Sequence, residues 1–199
     1  MVKFVTHAAP SGIVSDSDIA IGPHVAFDPE KFKNELEEAE KLFNYKGKIF
    51  ISERTGILFD YHRKLDAHRE NTPKNIGTTK SGIGPFYEDT TKRLTRITFV
   101  DYVSDNFEEK LREVIKIKEK DLKEAGILTK DYIQELLDLH NPIREELKQY
   151  ATRLEYKLRE YLDQGNHIIL EGAQGTLLDV DMGTLPMVSS SHILVPAAL

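Results

Sequence analysis

The stretch from Ser17 to Ser52 constrains the fold most. Two compact apolar runs, Ser17-Asp18-Ile19-Ala20-Ile21 and Lys48-Ile49-Phe50-Ile51-Ser52, flank a segment with a helix start and a helix period. Asp28 can accept from the free amides of a first turn, and Pro29 at the first helical position gives up no hydrogen bond. Phe32, Leu36, Ala39, Leu42 and Phe43 follow at helical spacing and describe one buried face. His24-Val25-Ala26-Phe27 reads as a second extended piece after the Gly22-Pro23 turn. Strand, helix and strand within so few residues predict a parallel pair joined by a crossover helix, because parallel neighbours need a long connection.

The later chain reads as mainly helical. Ser104 is placed to cap a helix carrying Phe107, Leu111, Val114, Ile115, Leu122 and Ala125, which Gly126 would end. Thr129 to Leu139 is helical in pattern, and Asn141-Pro142 predicts a restart or a kink. Ile143, Leu147, Tyr150, Ala151, Leu154, Leu158, Tyr161 and Leu162 then form an apolar stripe to Gly165. The charged residues on the other faces read as a solvated surface. Beyond Gly165, Ile168-Ile169-Leu170 predicts a buried strand that runs into Glu171-Gly172-Ala173-Gln174-Gly175-Thr176. Glycine-rich loops at the carboxyl ends of strands are where open α/β sheets place ligands.

Composition narrows the chemistry. There is no cysteine among the 199 residues, which excludes disulfides, zinc thiolates and a cysteine nucleophile and fits a reducing compartment. The formal net charge of -6 gives no support for nucleic-acid binding. No run reaches the roughly eighteen apolar residues of a membrane span, and Met1 to His7 lacks a signal-peptide pattern, so the expectation is a cytoplasmic protein.

Three segments carry the chemical signal. Gly77-Thr78-Thr79-Lys80-Ser81-Gly82-Ile83-Gly84-Pro85, preceded by Ile76, combines backbone freedom with hydroxyl donors that suit an anion. The same composition suits a plain surface turn, and the spacing is not that of a Walker A loop. In the second segment, the Gln174 amide can donate to and accept from a base or sugar, or it can tie down its own loop. Asp179 and Asp181 are spaced to share a face and could hold a metal, although such pairs are more often structural, and no metal ligand is assigned. The third, Ser189-Ser190-Ser191-His192, has no strand–turn–helix setting for a hydrolase nucleophile. His62 and His7 read as structural or surface histidines.

These segments closely resemble, in order, the signatures of the adenylosuccinate synthetase family. Residues 76–89 resemble its IGTT-x-x-GIGP-x-YED segment and 171–179 its EGAQGTLLD segment. Gly183-Thr184 with Pro186 resembles the following GTYP, and Pro10 to Ile13 its PSGI. Asp60-Tyr61-His62-Arg63, with Leu65-Asp66 and Arg69-Glu70, matches the stretch between.

The resemblance implies an α/β fold with a mainly parallel, P-loop-NTPase-like sheet. Residues 1–199 would be part of one such domain, with a helical subdomain at about 101–165. It implies a ligase of purine biosynthesis that joins inosine monophosphate (IMP) to L-aspartate with GTP and Mg2+, acting as a homodimer. Thr79, Gln174 and Ser189 match IMP-binding positions, Ser189 standing where the family usually has threonine. Arg93 matches the arginine that reaches the dimer partner's nucleotide, and Leu94 follows where a second arginine is frequent. The family's phosphate loop, catalytic aspartate and catalytic histidine do not occur before Pro10. Its aspartate loop and guanine-recognition segment do not occur by Leu199. Ile21 to His24 and Ser191-His192 depart from the usual motifs, and from Ile193 the chain no longer follows them, as a truncation or frame change would produce. The resemblance therefore implies no catalytic residue here and an inactive chain on its own. A non-catalytic remnant and a synthetase of another purine monophosphate are the alternatives.

Overall fold

The computed structural model describes residues 3–73 and 77–194. In chain order the elements are β1 (Ile19–Ile21), β2 (Ala26–Phe27), α1 (Pro29–Phe43), β3 (Ile49–Ser52), β4 (Gly56–Ile57), α2 (Asp60–Glu70), α3 (Ile83–Lys92) and α4 (Phe99–Tyr102). They continue with α5 (Phe107–Ile117), α6 (Glu119–Glu124), α7 (Tyr132–Leu147), β5 (Ala151–Thr152) and α8 (Leu154–Asp163). The chain divides into two compact units. One comprises Met1–Ile57, Thr98–Ser104 and Asp138–Ile169, the other Leu58–Ile97, Asp105–Leu137 and Leu170–Leu199.

The first unit holds the sheets. β1 and β3 pair in parallel, with Ile19 opposite Ile49, and the connection between them contains α1. The crossover unit expected from the sequence is thus present. Asp28 caps α1 by accepting from the Lys31 amide at 3.1 Å, with Pro29 next. A second parallel pair, β2 with β4, lies alongside in sequence order. Phe27 packs against Phe32 and Phe99, at ring separations of 5.3 and 5.9 Å. All three rings are fully buried, each contributing about 1.5–3 kcal/mol of apolar burial. The Glu35 carboxylate on α1 accepts from the consecutive amides of His7, Ala8 and Ala9, fixing the incoming chain.

Three expectations for the later chain need correction. The apolar stripe from Ile143 to Leu162 is not one helix. Lys148–Tyr150 form a 3-10 turn, and Ala151 and Thr152 pair in parallel with Ile51 and Ser52. Backbone pairing to an open strand edge outweighs helical continuation there. Pro142 neither restarts nor divides its helix but lies inside α7. Ser104 does not cap α5; its hydroxyl donates to the Asp101 carbonyl at 2.7 Å and closes α4. Asn106 precedes α5 without a side-chain cap, and Gly126, at φ +68°, does end the helical run.

A further correction concerns Ile168-Ile169-Leu170, which joins neither sheet among the described residues. Ile169 is 90% exposed and Leu170 50%. The outer edges of β1 and β5 are unpaired among the described residues, but the run docks on neither, and an apolar run that pairs with no strand gains nothing from extended geometry. Among the described residues no helix is long and apolar enough to cross a membrane.

Candidate functional site

The second unit is built on α2 and α3. Phe59 stacks on Tyr61 and Phe107, and His62, Leu65, Phe86, Leu111, Ile115 and Leu122 are buried with them. At its centre are three polar groups. The His62 Nδ1 accepts from the Phe59 amide at 2.9 Å, so Nε2 carries the ring proton and donates to Asp89 Oδ2 at 3.1 Å. The other Asp89 oxygen accepts from Lys118 Nζ at 2.5 Å. Burial alone would raise the Asp89 carboxyl, but His62 and Lys118 outweigh it and hold it below the usual carboxylate range. Burial lowers His62, partly offset by Asp89. His62 is therefore structural, as the sequence suggested. Lys118 escaped notice, yet it has a signal: it falls at the spacing of Leu111, Ile115 and Leu122, where a charge needs a buried partner.

Helix α2 also holds the first glycine-rich segment, of which Ile76 lies outside the described residues. Asp66, 4% exposed, accepts from the Thr78 hydroxyl at 3.0 Å through one oxygen and from the Gly82 amide at 2.9 Å through the other. One turn on, Glu70 accepts from the Gly77 amide at 3.1 Å. Gly82 has φ +82°, and a Cβ there would lie 2.8 Å from the Arg63 nitrogen, so only glycine lets the loop close this tightly on α2. Between these anchors Thr79, Lys80 and Ser81 are exposed, Lys80 at φ +56°, with the Thr79 hydroxyl 2.9 Å from that of Ser81. Arg93 is exposed at the end of α3 and also has a positive φ, +61°. Asp66 and Glu70 were missed as site-building residues. Two carboxylates one helical turn apart, just before a glycine–threonine loop, are the pattern that points to them.

The first and third segments meet. A Cβ on Gly84 would lie 3.6 Å from Ser190 Oγ, one on Gly77 3.9 Å from Met187 Cε, and the Tyr87 side chain hydrogen-bonds Ser191. The second and third meet through backbone: the Ser189 amide donates to the Leu178 carbonyl at 2.8 Å, and the Val180 amide to the Ser191 carbonyl at 3.2 Å. Ser189 is half-buried, its hydroxyl 2.8 Å from that of Ser191. Gln174 lies exposed in the irregular loop before a 3-10 turn, Thr176–Leu178.

Asp179, Asp181 and His192 bring their ligating atoms within 4.8 Å of one another. Asp179, however, accepts from the amides of Asp181, Met182 and Ile193 at 2.7–3.0 Å, and these bonds hold its carboxyl below the ordinary range. Its lone pairs are committed to the backbone, leaving one exposed carboxylate paired with one exposed imidazole. That set does not suit Mg2+, which takes near-octahedral oxygen ligands.

Known proteins agree with this architecture. The adenylosuccinate synthetase family model matches residues 1–199, including the stretch after Ser191. The adenylosuccinate synthetase of Chlorobaculum tepidum is 38% identical over 94% of this chain and 44% of its own. That of Borrelia duttonii is 37% identical over 98% of this chain and 46% of its own. The fully ligated adenylosuccinate synthetase from Plasmodium falciparum superposes with a TM-score of 0.84 at 26% identity, covering 96% of this chain and 45% of that one. The chain spans less than half the length of each of these relatives; with its parallel sheets, glycine-bearing loops and full-length family match, it belongs to the adenylosuccinate synthetase family.

Proposed function

We propose that these residues supply the nucleotide-monophosphate loops of a ligase that joins IMP and L-aspartate at the expense of GTP. One observation carries this reading. Three segments far apart in sequence, 77–87, 172–180 and 187–193, are held in one unit by side-chain and backbone contacts. They bring together hydroxyls, amides and glycines, the donors and the close approach that a phosphorylated ligand uses.

Thr79 and Ser189 offer hydroxyls to the nucleotide, and Gln174 offers an amide that can donate and accept at once. Arg93 serves the nucleotide bound by the second copy in a homodimer; its planar fork can grip phosphate with two bonds. GTP and Mg2+ belong to the reaction as the family performs it. The described carboxylates do not form a magnesium site, so no step is assigned to the ion here. The phosphoryl-transfer step needs a preorganised base, acid and metal. The family's motifs for these do not occur within residues 1–199. The acidic net charge supports a small-molecule enzyme over a nucleic-acid binder, and the absence of cysteine suits the cytoplasm.

The test has two parts. Calorimetry of the purified 199-residue chain should show IMP binding, with GMP and AMP as competitors. Gln174→Leu, which keeps size but loses the amide, should weaken binding by about tenfold to a hundredfold. A folded variant with unchanged affinity would make Gln174 a brace for its own loop. In the second part the chain receives IMP, GTP, Mg2+ and aspartate. No adenylosuccinate should form, and turnover above a blank would overturn the assignment of the chemistry to other segments.

A further inference from the structure

We propose that Asp66 is the positioning residue of the nucleotide-monophosphate loop, setting where Thr79 presents its hydroxyl; this rests on the reading of that loop as a nucleotide site. The argument is geometric. A loop of exposed glycine, threonine, lysine and serine has many accessible conformations, and a ligand that needs one of them must bear the cost of selecting it. Asp66 removes much of that freedom. Its two oxygens bind the two ends of the loop separately, Thr78 Oγ1 at 3.0 Å and the Gly82 amide at 2.9 Å. Thr79, Lys80 and Ser81 therefore form a short arch between two points fixed to one carboxylate.

The anchor itself is rigid. Asp66 is buried on α2 one turn beyond His62, which is locked to Asp89 of α3. Gly82 is pressed against the His62 and Arg63 backbone, so its amide has one direction to point. The arch is tightened from within, because Thr78 Oγ1 also accepts from the Lys80 amide at 3.3 Å. A hydroxyl that donates to Asp66 while accepting from Lys80 transmits the carboxylate's position to the tip of the loop. The carboxylate does not reach the exposed tip itself, so its role is indirect.

Asp66→Ala tests this. Asparagine would not, because its oxygen can accept from the Gly82 amide while its NH2 donates to the Thr78 hydroxyl; alanine removes both partners. Hydrogen exchange followed by NMR on the whole chain should show the Gly82 amide exchanging at least about tenfold faster in Asp66→Ala, with Leu111 and Ile115 in α5 unchanged. Calorimetric affinity for IMP should fall by about tenfold or more. Thr78→Val should behave similarly, whereas Thr78→Ser, which restores the hydroxyl, should retain Gly82 protection and most of the affinity. Unchanged Gly82 exchange in Asp66→Ala overturns the proposal, as does full IMP affinity in a variant whose loop has loosened. If the wild-type chain binds no IMP, the nucleotide reading fails by itself. Gly82 exchange then still decides whether Asp66 fixes the loop: lost protection supports it, and unchanged protection removes it.

Discussion

Protonating His62 would put a second positive charge beside Lys118 in a space that holds one carboxylate. As built, the cluster is balanced: Asp89 is negative, Lys118 positive and His62 neutral, with every oxygen and ring nitrogen engaged. Burial lowers the folded-state affinity of His62 for its proton below the ordinary value of 6.5. The unfolded chain then takes up that proton first as the pH falls. The contribution is complete above pH 6.5 and is lost below it, while the depressed Asp89 loses its own only under more acid conditions. Urea unfolding from pH 6.5 to 5 should show wild-type stability falling faster than that of His62→Gln, by up to about 1.4 kcal/mol per pH unit. Equal slopes would mean that His62 titrates as freely in the fold as out of it.

Gly82 shows what a single backbone position does for an element. It begins α3, carries φ +82° and sits against the α2 backbone. Gly82→Ala should cost about 2–3 kcal/mol, from left-handed strain plus the contact with Arg63, and should lower the thermal midpoint. A midpoint within a degree of wild type would mean that α2 and α3 separate easily. The elements legible in the sequence are those whose signals are local: the Asp28-Pro29 cap of α1, the spacing of Phe32, Leu36 and Ala39, and the stop at Gly126. The parallel pairing of β1 with β3 follows from the crossover between them. What was not legible depends on distant chain. Ala151 and Thr152 are strand because β3 has a free edge, and nothing in their neighbours announces it. Ile168 to Leu170 look like strand but pair with no edge among the described residues. At the site, the glycine segments were legible as loops and by family resemblance. Asp66, Glu70 and Lys118 had only their spacing as a signal, and their partners became visible in the contacts of α2 and of the α5–α6 junction.

At the scale of the molecule, order is uneven. The stretch from Asn166 to Gly175 carries no regular structure, and Glu171 within it is exposed. Proteases need several residues of backbone to adapt to their cleft, which helices resist. A glutamate-specific protease acting briefly on the native chain should therefore cut first after Glu171, giving fragments 1–171 and 172–199 on mass spectrometry. Earlier cutting within α1, α5 or α7 would contradict the ranking of local stability. The sheet sets a different kind of timing. β3 receives its second neighbour only when Ile51 meets Ala151, one hundred residues later in the chain. At roughly 5–20 residues per second on a ribosome, the edge of β3 waits about 5–20 s for its own strand. Throughout that interval it is an open invitation to another nascent chain. A cell making this protein thus has reason to hold the growing polypeptide apart from its neighbours until residue 152 has emerged.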